Sequence, residues 1–558
     1  MGLKCKFLGG ARELGGVYLF IGDELLVEAG QRLDHMGKFY GFPFSPSAHQ
    51  VLDIAEMLQL YPGIEEMFRH DYQRKRGIEV RDPPKRKVLI THGHYDHVGG
   101  LPYLRYDAEV FMHRDTKRML HTWSSMTGRN NQFLELRDPF TVVNKRDGDP
   151  TYISGFKAML GREVRTFQDN EEFEVNGMKV TAYPVDHSLV GSCGFIIETE
   201  IGPIAISGDY RLRGRRGELT DKFLEAALER KVQYFFSEAS LPHFEHEGTE
   251  DDVVEAIAGL IRNKSFAAVS APPRDLDRLT SLWMAAKATG RTLCVSPTVM
   301  TYLREFEGEY GFPLINDPNI AVMMLKKGKA NLDSVLAPVK DGESEEEEDD
   351  EEEDDEANLL PGLTAGDYRF HERVYLKWKR WKNTERVRDE DQQDLFGIVV
   401  SDKPRRRRQR VSLMDIRRYP DKFLVMMEPN QMIQILTFLA GPERKMPEDS
   451  IYIRSHPEGW NDEMKVGDAR KRYILNEFGM YDGPQPDYFA RSIMRDNHQV
   501  HVTGHMNKRE LKQKLNMLPC PKVIYHELDD TDVEEIVEVG GVMKPERGVE
   551  FELERRAA

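Results

Sequence analysis

Short apolar runs separated by turn residues fill the first two hundred positions of the chain. Five of these runs have the length and composition of buried β-strands: Lys4–Leu8, Val17–Ile21, Val88–Ile90, Val180–Tyr183 and Ile204–Ile206. The glycines of GGARELGG lie between the first two runs, which predicts a hairpin and not the strand-to-helix turn of a dinucleotide site. We therefore predict a β-rich segment over residues 1–245.

The pattern changes to helical periodicity from about residue 246. Apolar residues recur three and four positions apart over Asp251–Ile261 and Leu276–Ala288, with the strand-like FAAVSA between them. Beyond residue 450 strand-like runs return, in IYIRS, QVHVTGH and KVIYHEL. This order predicts an α/β segment, residues 246–450, that is inserted into a domain formed by residues 1–245 and 451–558.

The length and charge of the chain agree with a multidomain globular protein. At 558 residues, of which 40% are hydrophobic and 31% charged, two or three domains are expected. Glu345–Glu356 is a run of twelve acids, and removing these charges from the formal −17 leaves −5. Such a run repels itself, so we predict a disordered loop over residues 341–358. The remainder of the chain is nearly balanced in charge, so local basic patches can decide which partners it binds. A role of the loop as an interaction segment stays open.

The cysteines and the apolar runs bear on location. The four cysteines, Cys5, Cys193, Cys294 and Cys520, have no CxxC spacing, which fits buried thiols in a reducing cytoplasm. No apolar run approaches membrane-spanning length, and MGLKCKFLGG lacks the apolar stretch of a signal peptide. We expect a cytoplasmic protein without a membrane partner.

The motif with the strongest chemical signal is THGHYDH, directly after the strand-like Val88–Ile90. In extended chain, residues two apart point the same way, so His92, His94 and Asp96 converge on one region, while His97 faces a second centre. Three imidazoles and a carboxylate within six residues are ligands for zinc or a similar ion.

This motif resembles the HxHxDH signature of the metallo-β-lactamase superfamily. In that fold the remaining ligands follow later strands. His187, after the run that ends at Val185, matches the third histidine of the family, and Asp209, after Ile204–Ile206, matches its bridging carboxylate. Alone, a His or Asp at such a place is often a cap or turn residue.

The insertion between two halves of such a fold resembles the β-CASP group of nucleases. Three further motifs of that group match Glu238, His505 and His526, and APPRDLDRL, VDHSLVGSCGF and SGDYRLRGRRGELTDKF resemble its ribonuclease J-like branch. The implied fold is α/β, an αββα metallo-β-lactamase sandwich split by an inserted α/β β-CASP domain. Bacterial ribonuclease J carries a further C-terminal domain that this chain does not match, and a homo-oligomer stays open.

The resemblance implies a two-metal site with zinc as the expected ion. One ion would take His92, His94, His187 and Asp209, and the other would take Asp96, His97, Asp209 and His526. Such a pair activates a water and stabilises charge on a transferring phosphate, and Asp96 would orient that water. His505 would donate to a phosphoryl oxygen or the leaving group, with Glu238 as its partner.

The expected substrate is RNA, and several segments are candidates for binding it. Ser270, Arg274 and Arg278 lie in the family-like VSAPPRDLDR, where Ser270 and Arg274 would hold a terminal phosphate. The segment KWKRWK (377–382) interleaves basic and aromatic residues, as single-stranded nucleic-acid grooves do. The cluster Arg405–Arg408 could neutralise phosphates. A solvated charged surface explains both segments equally well.

Several functions share these motifs. The branch implies a ribonuclease of RNA processing or decay, and a 5′-to-3′ exonuclease in particular. A DNA-processing β-CASP nuclease is the first alternative, and His526 argues against it because the DNA-acting branch is described as having valine there. The others are a small-molecule hydrolase of the same fold and a silent RNA-binding or scaffold subunit, although every expected ligand is present here.

Overall fold

The computed structural model describes residues 2–22, 25–39, 57–59, 67–69, 86–105, 107–127, 133–137, 140–144, 150–154, 159–240, 248–313, 317–324, 410–456, 462–480, 500–527 and 533–556. The chain divides into two compact units. The first comprises Met1–Glu247, Asn461–Glu463 and Thr503–Ala558, and the second comprises Gly248–Trp460 and Met464–Val502.

Eighteen strands are described in the first unit, and fourteen of them form two seven-stranded sheets. The strands are Leu3–Gly9 (β1), Tyr18–Ile21 (β2), Leu25–Val27 (β3), Lys87–Ile90 (β4), Glu109–His113 (β5), Glu135–Arg137 (β6), Phe140–Asn144 (β7), Pro150–Ser154 (β8), Met159–Gly161 (β9), Val164–Phe167 (β10), Glu172–Val175 (β11), Met178–Pro184 (β12), Cys193–Thr199 (β13), Gly202–Ile206 (β14), Tyr234–Ala239 (β15), Lys522–Glu527 (β22), Val542–Met543 (β23) and Glu550–Leu553 (β24).

The α-helices that the structure describes in the first unit are Leu33–Gly37 (α1), Tyr95–Val98 (α2), Arg114–Thr127 (α3), Gly217–Glu229 (α4), Lys508–Leu515 (α11) and Val533–Ile536 (α12). The strand order is β10-β5-β4-β3-β2-β1-β24 in one sheet and β11-β12-β13-β14-β15-β22-β23 in the other. Strands β1 and β2 pair antiparallel, which confirms the predicted hairpin around GGARELGG.

The two sheets of the first unit share one apolar core, because alternate residues of a strand point to opposite faces. Phe7 of β1 packs with Phe195 and Ile197 of β13 in this shared core. The intervening Ile196 points to the other face of its sheet and packs with Phe223 of α4. On the outer face of the first sheet, residues of β4 and β5 pack with Leu120 of α3. The layers are therefore helix, sheet, sheet and helix, which is the predicted αββα sandwich.

The second unit is built on one six-stranded sheet whose described pairings are all parallel. Its strands, in the order β19-β18-β17-β20-β16-β21, are Ala267–Ser270 (β16), Thr292–Val295 (β17), Ile320–Met324 (β18), Arg410–Ser412 (β19), Phe423–Met426 (β20) and Ile451–Arg454 (β21). Its helices are Glu250–Ile261 (α5), Leu276–Ala288 (α6), Pro297–Glu305 (α7), Leu413–Arg418 (α8), Met432–Ala440 (α9) and Asp462–Glu477 (α10). Both helices predicted from periodicity, α5 and α6, are present.

The second boundary of the insertion differs from the prediction. We expected residues from 451 onward to return to the first unit, but Ile451–Arg454 pairs in parallel with β16 of the six-stranded sheet. Apart from the short piece Asn461–Glu463, the first unit resumes at Thr503. QVHVTGH was also expected to be a strand, and its described residues 500–505 form none. A strand-like pattern reports burial of alternate side chains and does not specify which neighbour a strand pairs with.

Several sequence predictions lie outside the described residues. These are the acidic loop at 341–358, the basic and aromatic run at 377–382, and Arg405–Arg408. Among the helices that the structure describes, none is long and apolar enough to cross a lipid bilayer.

Candidate metal centre

Most residues with metal-ligating side chains lie just beyond the ends of strands of the two seven-stranded sheets. Strand β4 pairs in parallel with β3 and β5, and β15 pairs in parallel with β14 and β22. His92 and His94 follow β4, Asp96 and His97 lie on α2, and Asp209 follows β14. Strand β4 belongs to one seven-stranded sheet and β14 to the other, so the site lies where strand ends of the two packed sheets meet.

One group of possible metal ligands consists of His92, His94, His187 and Asp209. His94 Nδ1 lies 3.1 Å from His92 Nε2 and 2.9 Å from His187 Nε2. Asp209 Oδ2 lies 3.5 Å from His92 Nε2 and 3.8 Å from His187 Nε2. One atom of each side chain is therefore directed at a common point, which is the arrangement that a metal ion requires.

A second group consists of Asp96, His97 and His526. Asp96 Oδ2 is 3.8 Å from His97 Nε2 and 3.6 Å from His526 Nε2. Asp209 also belongs here, because its Oδ2 lies 3.3 Å from His97 Nε2 and its Oδ1 lies 3.1 Å from His526 Nδ1. The Asp209 carboxylate thus contacts both groups, so the structure brings together all seven residues that the sequence analysis selected as ligands.

The buried polar atoms of the site fit a bound cation. His97 is fully buried, and neither of its ring nitrogens has a hydrogen-bond partner. Burial lowers the pKa of His97, but the charges of Asp209 and Asp96 outweigh it and hold that pKa well above its ordinary value. Burial and the neighbouring His97 hold the pKa of His92 well below its ordinary value. Burial thus favours the neutral, ligating form of His92, while the carboxylates around His97 favour a positive charge at that point, which a divalent metal ion would supply in place of the proton.

Hydrogen bonds to the outer ring nitrogens orient the imidazoles of the first group. His187 Nδ1 donates to the carbonyl oxygen of Gly504 at 2.5 Å, which leaves its Nε2 lone pair directed at the cluster. His92 Nδ1 lies 3.0 Å from the Thr91 hydroxyl. Burial lowers the pKa of His187 to about 3, so this ring is neutral and able to ligate at physiological pH.

The sequence analysis did not select Glu28, whose carboxylate lies close to His92 of the first group and His97 of the second. It follows β3 directly, is buried, and has a left-handed backbone with φ of 68°. Its Oε1 accepts hydrogen bonds from the Thr91 backbone N–H and hydroxyl and lies 3.6 Å from His97 Nδ1. The signal for it was an acid directly after the apolar run LLV, of the same kind that selected Asp209.

His505 and Glu238 form a pair beside the two groups. His505 Nδ1 lies 3.1 Å from Glu238 Oε1 and 4.0 Å from Asp209 Oδ2. Burial lowers the pKa of His505, but the Glu238 charge and hydrogen bond, with Asp209 and Asp96, raise it to about 9. The side chains of His505 and Asp96 are each 21% exposed, whereas Glu238 and Asp209 are at most 2% exposed. His505 can therefore donate a proton toward solvent-accessible space.

A local irregularity in β22 positions His526. The pairing of β15 with β22 skips one residue between Tyr525 and Glu527, and His526 has a φ of 50°. Its backbone N–H donates to the Gly10 carbonyl at 2.6 Å and does not join the ladder to β15. Bulges of this kind redirect a side chain, which here faces Asp209 and Asp96.

The three predicted substrate-binding residues lie in the second unit and have different environments. Ser270 ends β16, and its carbonyl accepts from the Ser455 backbone N–H. Arg274 is half-buried in the turn before α6. Both stay predictions.

Arg278 does not fit the predicted role, because its side chain is fully buried. It forms an ion pair with Glu250 at 2.9 Å and donates to Ser455 and to the carbonyls of Val500 and Val502. With these partners inside the unit it cannot contact a substrate, so the prediction for Arg278 is wrong.

Known proteins resemble this chain in both sequence and fold. Residues 62–259 match the model of the Metallo-beta-lactamase superfamily. The chain is 28% identical to the Ribonuclease J of Mycoplasma genitalium over 181 residues, which are 32% of this chain and 26% of that protein. It is 30% identical to the Endoribonuclease YSH1 of Yarrowia lipolytica over 128 residues, which are 22% of this chain and 14% of that protein.

The fold is also similar to a crystal structure of a protein of unknown function from Enterococcus faecalis V583. The TM-score is 0.58 at 16% identity, over 99% of this chain and 100% of that one. The matches to the named relatives span 26% of the length of Ribonuclease J and 14% of the length of YSH1. The chain is therefore similar to the Metallo-beta-lactamase superfamily over residues 62–259, and proteins named Ribonuclease J and Endoribonuclease YSH1 are among its relatives.

Proposed function

We propose that this protein is a metal-dependent ribonuclease that hydrolyses phosphodiester bonds of RNA. The observation that carries the proposal is the Asp209 carboxylate, whose Oδ2 lies 3.3 Å from His97 Nε2 and 3.5 Å from His92 Nε2. It therefore joins two groups of ligands into one site. The names of the relatives, Ribonuclease J and Endoribonuclease YSH1, support RNA as the substrate.

Two divalent ions, with zinc as the proposed identity, would be held by the two groups. His92, His94, His187 and Asp209 would hold one, and Asp96, His97, Asp209 and His526 would hold the other. Bound there, the ions would lower the pKa of a water molecule and stabilise negative charge on the phosphate. The choice of zinc rests on the imidazole-rich donor set.

Two residues of the chain would assist the hydrolysis directly. Asp96 is partly exposed, and its carboxylate would orient the attacking water. His505, held by Glu238, would donate to a phosphoryl oxygen or to the leaving oxygen. Such a donor is most useful where negative charge develops in the transition state.

The proposed polarity is a 5′-to-3′ exonuclease that prefers a 5′-monophosphate. Ser270 and Arg274 are the proposed anchors of the terminal phosphate, and both lie near the carboxyl end of β16, where parallel sheets commonly bind ligands. Four buried free cysteines fit the proposed cytoplasmic location.

The direct test incubates purified protein with end-labelled RNA and DNA of one sequence, with and without a chelator. Cleavage of RNA in preference to DNA, lost in the chelator and restored by zinc, is the expected result. Equal or faster cleavage of DNA would favour the DNA-processing alternative, and no cleavage of either would favour a binding subunit.

The polarity is tested with three RNAs that differ only in a 5′ hydroxyl, monophosphate or triphosphate. Mononucleotides should be released fastest from the monophosphate. Internal fragments formed equally from all three, or from a circular RNA, would contradict the exonuclease.

A further inference from the structure

Arg211 lies two residues beyond Asp209, and its side chain is only 1% exposed. A guanidinium removed from water must be paired, and its Nε lies 3.2 Å from Asp186 Oδ1. Its Nη1 donates to the carbonyl of Thr503 at 3.4 Å, and its backbone N–H donates to the carbonyl of Asp186 at 2.8 Å. The two residues are therefore joined by both side chain and backbone.

Asp186 is fully buried and makes two further hydrogen bonds, one accepted and one donated, to the segment that follows Arg211. Its Oδ2 accepts from the Arg216 backbone N–H at 3.4 Å, and its own backbone N–H donates to the Thr220 hydroxyl. Gly214 closes this loop over the pair, because a Cβ at that position would lie 2.3 Å from both Arg211 Nε and Asp186 Oδ2. The loop therefore fits closely around the ion pair.

The pair lies where three segments that carry site residues meet. Asp186 immediately precedes His187, Arg211 follows Asp209, and Thr503 is two residues before His505. The same segments are also joined beside the pair, since the Met506 backbone N–H donates to the Tyr210 carbonyl at 3.1 Å. The pair therefore lies where it can hold the backbones of these three segments relative to one another.

The energetics of buried ion pairs argue for a geometric role. Removing two charges from water costs about as much as their attraction returns, so apolar residues of similar volume are often equally stabilising. What an arginine adds is directional: its planar fork fixes two acceptors at once, here the carboxylate of Asp186 and the carbonyl of Thr503.

We propose that Arg211 and Asp186 are a positioning pair that sets the placement of His187, Asp209 and His505 relative to one another. The effect on rate rests on the proposed function, whereas the effect on metal geometry does not. Such residues orient the metal ligands without contacting the metal. Their loss typically lowers metal affinity or activity by about 10–100-fold.

The test separates geometry from stability with three variants. Arg211→Met leaves Asp186 as an uncompensated buried charge, Arg211→Met/Asp186→Asn removes both charges, and Arg211→Lys keeps the charge without the fork. The control is Arg105→Met/Asp107→Asn, which removes a bidentate ion pair elsewhere in the same unit. Each protein is loaded with Co²⁺, and its visible spectrum, bound metal, melting temperature, kcat and KM on RNA are measured.

We expect the double variant to recover most of the melting temperature that Arg211→Met loses. Its Co²⁺ spectrum should still be altered, and its kcat should be about 10–100-fold below wild type with KM little changed. Arg211→Lys should be intermediate, and the control should have the wild-type spectrum and kcat.

A double variant with the wild-type spectrum and kcat would overturn the proposal and leave the pair a merely structural one. If the wild-type protein cleaves no RNA, the proposed function fails, but the Co²⁺ spectra still decide whether the pair positions the ligands.

Discussion

At the scale of single residues, an imidazole that is to bind a metal needs one nitrogen free and the other held. His187 meets this condition through the Gly504 carbonyl, and the Glu238 carboxylate holds Nδ1 of His505, the proposed proton donor, in a comparable way. The sequence was sufficient to select these histidines, because histidines that follow apolar runs in this order along the chain are unusual. It could not identify their partners, because Gly504 is 317 positions from His187 and any carbonyl would serve.

The ligand residues should control metal content. We expect the wild-type protein to purify with about two divalent ions per chain. His92→Ala or Asp209→Ala should lose metal and abolish hydrolysis, while the far-ultraviolet circular dichroism spectrum shows that the fold persists. Metal analysis by mass spectrometry checks the stoichiometry, and wild-type activity after complete removal of metal would contradict the two-metal reading.

His505 should act on the chemical step. His505→Ala is expected to lower kcat by about 10²–10⁴-fold with a smaller change in KM, because its proposed partner is charge that develops in the transition state. Glu238→Gln should lower kcat less, since it weakens the support of the ring and leaves the ring in place. Steady-state kinetics on one RNA substrate measure both constants, and a rise in KM alone would show that the assigned role is wrong.

The depressed pKa of His187 predicts how stability depends on pH. Burial lowers this pKa to about 3, so the unfolded chain takes up a proton near pH 6.5 while the folded chain does not. In chelator-treated protein the stability associated with a neutral His187 is present above about pH 6.5 and is lost as pH falls toward 3. Urea unfolding of wild type and His187→Gln at pH 7 and pH 4 should therefore show the larger loss in wild type. Equal losses in the two proteins would contradict this pKa.

At the scale of elements, the sequence located the strand ends but not the pairing of the strands. Runs such as Ile204–Ile206 are apolar because both of their faces are covered, and this local property can be read without a structure. Val500 and Val502 produce the same signal in QVHVTGH, since both side chains are buried. Their carbonyls, however, accept from the Arg278 side chain and not from a neighbouring strand.

The buried Arg278 should matter for stability and not for substrate contact. Arg278→Met leaves Glu250 buried without its partner, and breaking such a pair typically costs about 3–5 kcal/mol of unfolding free energy. Arg278→Met/Glu250→Gln should be markedly less destabilised, which chemical denaturation of the two variants would measure. If the single variant were as stable as wild type and bound RNA more weakly, the original prediction of substrate contact would be reinstated.

At the scale of the whole molecule, the sequence predicted an inserted α/β segment within a β-rich domain. The helices α5 and α6 and the two seven-stranded sheets agree with that prediction. The boundary at residue 451 was wrong, because assigning β21 to a sheet requires knowledge of its neighbour β16. Which strands pair depends on residues that are far apart in sequence, and the hydrophobic pattern of a single segment does not specify its partner strand.

The acidic run should influence binding more than folding. Because twelve consecutive acids are not expected to bury apolar surface, deleting Gly342–Glu356 should leave the melting temperature and the cleavage of short RNA nearly unchanged. RNA binding at low salt should tighten, and the difference should disappear as salt rises, because screening removes the repulsion. Calorimetry and a salt titration of binding test this, and a large fall in melting temperature would contradict the prediction of a solvated loop.

The parallel pairing of β15 with β22 joins two segments that the ribosome synthesises at widely separated times. A ribosome releases β15 early, but the strand beside it, with the ligand His526, emerges only after the whole second unit has been synthesised. The edge of β15 that pairs with β22 therefore stays without this partner while residues 240–521 are synthesised. The inserted unit can form its own parallel sheet during that time. Metal can reach a complete set of ligands only once residue 526 is outside the ribosomal exit tunnel. An unfinished chain would thus be unable to assemble the nuclease site proposed here, which would keep a nascent ribonuclease inactive beside the messenger RNA that encodes it.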